Sequence, residues 1–134
     1  MRFMMLMFPA KYYEPGQELP DTKVFEEMNR YNEELAKAGV LLALDGLHHP
    51  KTAVRVKLDG GKKKLVDGPF TEAKEIVGGY WILQTRTREE AVEWASRVPL
   101  DPGSFVELRQ IFEMSEFPDD IQKLNEPLAE KLKK

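Results

Sequence analysis

Apolar and polar positions change their rhythm several times along the chain, and each change marks an element. Residues 3–8, Phe-Met-Met-Leu-Met-Phe, are continuously apolar and end at Pro9. A run so short reads as a strand buried on both faces. A Pro- and Gly-rich loop follows. From Asp21, Val24, Met28, Tyr31 and Leu35 recur at helical spacing, with Glu26, Glu27, Arg30, Glu33, Glu34 and Lys37 between them. That spacing predicts an amphipathic helix of four or five turns, stopped at Gly39. A strand from Val40 breaks near Asp45-Gly46. Val54, Val56 and Leu58 then alternate with Arg55 and Lys57, and Asp59-Gly60-Gly61 signals a hairpin returning through Lys62–Asp67.

Ile76–Thr85 is a further apolar strand, and its Gly78-Gly79 pair marks a bulge or a close approach. Thr87-Arg88-Glu89-Glu90 is a capping box, and Ala91, Trp94, Ala95 and Val98 form the stripe of a second helix ended by Pro99. The last strand covers Ser104–Phe112, with Val106, Leu108 and Gln110 on one side. The tail is polar, with a short helix expected around Leu128–Leu132.

Strand, helix, strand, hairpin, strand, helix, strand is the order of an α+β fold. It predicts an antiparallel sheet in a split βαβ, ferredoxin-like sandwich. Both helices lie over one face, yet the strands at 3–8 and 79–83 are apolar on both. The second face therefore needs a cover, and a homodimer with sheets packed face to face supplies it.

The composition narrows what such a protein does. The 134 residues make one domain, and a hydrophobic fraction of 42% supplies a core. A net charge of −3 argues against a broad phosphate-binding face, and Lys62-Lys63-Lys64 reads as a solvated hairpin end. The absence of cysteine removes disulfides and thiolate chemistry and fits a cytoplasmic location. The apolar start is too short for a signal peptide, and no run spans a bilayer. No nucleotide-binding fingerprint is present, and no cofactor is expected.

Candidate chemistry gathers at Asp67-Gly68-Pro69-Phe70-Thr71-Glu72-Ala73-Lys74-Glu75. His48 and His49 are the only histidines. They are adjacent in an extended segment, so only one can face a given pocket. The hairpin brings Asp67 near them: a turn centred on Asp59-Gly60 sets Asp67 opposite Thr52, and one centred on Gly60-Gly61 sets it opposite Val54. A carboxylate beside an imidazole makes a minimal general-base pair. Equally, Asp67 can cap its own turn while the histidines form a solvated corner. Gly68-Pro69 forces a tight turn that points Phe70 inward. Glu72 and Glu75 can share one face of a helical turn, for a ligand or for pairing with nearby cations. Trp81, Trp94, Tyr80 and Phe105 can line an apolar pocket or simply fill the core.

The opening strand, "YNEELAKAGVLLALDGLH", "DGPFTEAKE", "GGYWI", "EEAVEWASR" and "VELRQIFE" resemble the YCII-related family, and specifically its DGPF subgroup. The likeness covers residues 1–114 and leaves 115–134 as a polar C-terminal extension. The resemblance implies a ferredoxin-like fold, a dimeric α+β barrel-like homodimer, and a cleft near the DGPF turn. It also implies kinship with dimeric α+β barrel proteins, some of which act on small aromatic or lactone substrates, and with YCII-like members for which a catalytic His–Asp pair is proposed. Carried onto this sequence, that implies His48 and Asp67 as catalytic residues in cofactor-free proton transfer or elimination, with Phe70, Glu72, Glu75 and Trp81 contacting substrate. A non-catalytic, ligand-sensing role beside an extracytoplasmic-function sigma factor is the alternative it implies.

Overall fold

A computed structural model describes residues 1–11, 22–68 and 76–132. Four strands form one antiparallel sheet: β1 (Arg2–Phe8), β2 (Leu41–Gly46), β5 (Gly79–Gln84) and β6 (Phe105–Gln110). Their order across the sheet is β2-β5-β1-β6. Helix α1 (Thr22–Lys37) connects β1 to β2, and α2 (Arg88–Ala95) connects β5 to β6. Each connection skips over one strand, which is the split βαβ, ferredoxin-like arrangement. The hairpin β3 (Val54–Asp59) and β4 (Lys62–Asp67) is inserted between β2 and β5 as a separate two-stranded sheet.

Alternation along β1 assigns the two faces of the sheet. Phe3 and Met5 are buried, as are Trp81 and Leu83 on the neighbouring β5. Met5, Trp81 and Leu83 meet Tyr31 and Leu35 of α1, and Trp94 of α2, in one core. The Tyr31 hydroxyl donates to the Trp94 carbonyl at 2.7 Å, tying the two helices together. Gly39 ends α1 at φ 74°, the left-handed cap that its position in the sequence suggests. Thr87 caps α2 by accepting from the Glu90 amide at 3.1 Å. The return bond of the expected box is displaced by one residue, because the Glu90 carboxylate accepts from the Arg86 amide instead.

Met4, Leu6 and Phe8 point to the other face. There Phe8 stacks on Phe105 with ring centroids 4.7 Å apart. Ile82 and Tyr80 of β5 share that face by register.

Past β6 the chain runs through a short 3-10 turn into α3 (Asp119–Leu132), longer than the helix expected from the sequence. The helix passes straight through Pro127 and buries no residue. Its acidic first turn, Asp119 and Asp120, complements the helix dipole. No helix among the described residues is long and apolar enough to cross a membrane.

Candidate functional site

The ends of β1, β2 and β5 are laced together at one edge of the sheet. The Gly78 amide donates to the Met7 carbonyl at 2.8 Å, and the Leu47 amide to the Gly78 carbonyl at 2.9 Å. Gly79 belongs here for steric reasons, since an added Cβ would stand 3.0 Å from the Asp45 carbonyl oxygen. These bonds direct the chain after Gly46 into a 3-10 turn at Pro50–Thr52, with His49 as its N-terminal cap.

His49 caps the turn with its ring. Its Nδ1 accepts from the Lys51 amide at 3.0 Å. A neutral imidazole that accepts at Nδ1 carries its proton on Nε2. A base oriented by a carboxylate has the reverse arrangement, in which Nδ1–H donates to the acid and the Nε2 lone pair is the base.

The DGPF stretch meets this turn directly. The Gly68 amide donates to the Ala53 carbonyl at 2.8 Å. Asp67 pairs with Val54, so the hairpin turn is the one centred on Gly60-Gly61, with φ 59° and 82°. Both positive values belong to a type I′ turn, which glycine adopts without strain. Asp67 is exposed, and no side-chain hydrogen bond or ion pair among the described residues involves it. His48 is exposed as well. Phe70, Glu72 and Glu75 lie outside the described residues.

Beside the His49 turn opens a hollow of about 750 Å³. Met7, Val24, Met28, Leu47 and Leu100 give it apolar walls, while His49, Lys11, Glu27, Asp101 and Ser104 supply polar groups. The volume is in the range of small-molecule sites. Of the two histidines, His49 lines it. Trp81 stands elsewhere, buried against α1 with its Nε1 donating to Asn32 Oδ1 at 2.8 Å. Lys11, Glu27, Asp101 and Ser104 carried no signal in the sequence. They come from a loop, a helix and a second loop that only the fold assembles.

One further polar pair sits close by on the opposite face of the sheet. Asp45 and Tyr80 are cross-strand partners, and the Tyr80 hydroxyl donates to Asp45 Oδ2 at 2.7 Å. That bond to the carboxylate holds the Tyr80 phenol above its ordinary range.

A ferredoxin-like α+β domain with a side-chain-lined hollow at one end of its sheet is thus the class that fold and geometry define. The profile of the YCII-related domain family matches residues 1–115, and the chain belongs to that family. The match stops short of α3. No curated protein matches the chain.

Proposed function

We propose that the protein is a homodimer of the DGPF subgroup whose hollow beside the His49 turn binds a small aromatic or polar organic molecule. The observation that carries this reading is the meeting of three features at one place. The hollow, the histidine cap and the glycine of the DGPF stretch all adjoin the Pro50–Thr52 turn. The half-exposed apolar face of Met4, Leu6, Phe8 and Ile82 supports a dimer in which two such sheets pack into a barrel-like unit.

In its catalytic form the proposal is cofactor-free proton transfer or elimination. That form requires His48 to turn into the hollow that His49 lines and Asp67 to orient it as the base, with Glu72 and Glu75 adding polar contacts. The hydrogen bond at His49 Nδ1 favours a second reading, non-catalytic ligand sensing, because it makes that ring a donor at Nε2 rather than a carboxylate-oriented base.

Ligand-observed NMR with a panel of small aromatic carboxylates and phenols tests the binding site. The expected result is saturable binding that weakens at least tenfold in Met28→Trp, which fills the hollow. A panel that fails to bind at millimolar concentration overturns it. Sedimentation at micromolar concentration tests the dimer, and a single monomer boundary overturns that part.

A further inference from the structure

Among the described residues, two exposed apolar strips leave the sheet at opposite ends. The first is one face of the β3–β4 hairpin. The register sets Val56 against Leu65, with Val54 and Leu58 on either side of Val56 along the same face. All four side chains are exposed, between 55% and 75%. The second is a stripe on α3 made by Ile121, Leu124, Leu128 and Leu132, all exposed. Their spacing of three, four and four residues keeps them on one line of the helix. A lone two-stranded hairpin is marginal in water, and so is a helix of 14 residues that contains a proline. Each needs something to pack on.

From this we infer that the α3 stripe of one copy packs along the β3–β4 hairpin of a second copy, and reciprocally. The inference rests on the homodimer reading and adds to it which segments cross between subunits. The hairpin springs from the Phe8 end of β1, where Met7, Gly78 and Leu47 are bonded together. α3 springs from the Arg2 end, where the Ile111 amide donates to the Arg2 carbonyl and Arg2 binds Glu113. Seven residues of β1 separate these ends, roughly 23 Å at strand rise. Between two facing sheets, a two-fold axis running across the strands sets the Arg2 end of one over the Phe8 end of the other. Helix and hairpin then share each end of the dimer, and the two strand spacings from β6 to β5, about 10 Å, lie within the reach of the helix.

Dimensions and area agree with that exchange. A helix of 14 residues is about 21 Å long, and strands of six residues reach about 20 Å. Each strip of four aliphatic side chains offers roughly 400 Å², so two reciprocal contacts remove roughly 1,600 Å², the size of a standard stable interface. On the hairpin's apolar face the register leaves one charge of each sign, Lys63 and Asp67, so the apolar side chains carry the contact.

The lack of native cysteine permits a direct test by disulfide trapping. Val56→Cys chains and Leu128→Cys chains are mixed, dissociated, reassociated and oxidised, and non-reducing electrophoresis reads the product. The expected product is a mixed disulfide of twice the chain mass, more abundant than in either variant alone. In parallel, Leu124→Asp/Leu128→Asp is expected to raise the dimer dissociation constant at least tenfold while the far-UV spectrum stays that of a folded chain. A dimer by sedimentation that gives no mixed disulfide overturns the exchange and leaves the dimer standing. In a chain carrying both Val56→Cys and Leu128→Cys, a disulfide formed only within that chain also overturns it. A monomer by sedimentation overturns both readings.

Discussion

The backbone of Gly68 presses against the carbonyl of Pro50 so closely that a Cβ built on Gly68 would stand 2.5 Å from that oxygen. The Ala53 carbonyl is 3.2 Å from the same point. Both obstacles are backbone atoms, so neither can swing aside. Glycine at this position of the DGPF stretch is therefore demanded by packing against the His49 turn, whatever the turn binds. Gly68→Ala is expected to destabilise the fold by about 1–3 kcal/mol, the usual cost of overpacking. Urea denaturation followed by tryptophan fluorescence measures this. A midpoint unchanged from the parent would mean that the two segments are not in register as described.

Tyr31 gives a pH signature. Burial between α1, β5 and α2 pushes its hydroxyl well above the usual range for tyrosine. Below pH ~10, the unperturbed value, the phenol is protonated in both states and contributes no pH dependence. Above it the unfolded chain releases the proton first, so stability falls as pH rises toward the folded value. Tyr31→Phe is expected to flatten this alkaline limb. It is expected to cost only about 1 kcal/mol at neutral pH, because the Trp94 carbonyl keeps the Arg97 amide as a partner. Tyr80, held up by Asp45, acts in the same direction, so some slope remains. Thermal unfolding of both proteins from pH 8 to 11 separates the two contributions.

The fold was largely legible in the sequence because its signals are local. Six apolar residues closed by Pro9, the Val24–Leu35 stripe and the glycine turn each specify their own backbone. The hairpin register was ambiguous by two residues, and only the two left-handed glycines resolve it. In the polar tail the sequence marks only a short helix around Leu128–Leu132. The helix starts at Asp119 and runs through Pro127. The hollow was the least legible. Alternation says that only one of His48 and His49 can face it, but which one depends on where β2 ends and on the 3-10 turn that follows. Glu27 and Asp101 meet there from α1 and from the loop before β6, and no spacing encodes that.

The tautomer of His49 is a separate prediction. With the Lys51 amide donating to Nδ1, the neutral ring is expected to carry its proton on Nε2. Long-range ¹H–¹⁵N correlation spectra distinguish the two ring nitrogens. Cross-peaks placing the neutral proton on Nδ1 would refute the cap.

Arg2 and Glu113 join the first strand to the segment leading into α3, with Nε to Oε1 at 2.8 Å and Nη2 to Oε2 at 3.2 Å. The paired hydrogen bonds to the guanidinium hold the Glu113 carboxyl below its usual range. For a lowered value, the contribution to stability is present above pH ~4.3, the ordinary glutamate value, and is lost as pH falls through the folded one. Glu113→Gln is therefore expected to lower the urea midpoint at pH 7 and to converge with the parent near pH 3. The difference is expected to be small, because both side chains are about 40% exposed and salt screens such pairs. Raising the salt concentration at pH 7 should shrink the gap further. A gap that persists unchanged at pH 3 would show that Glu113 acts through packing rather than through its charge.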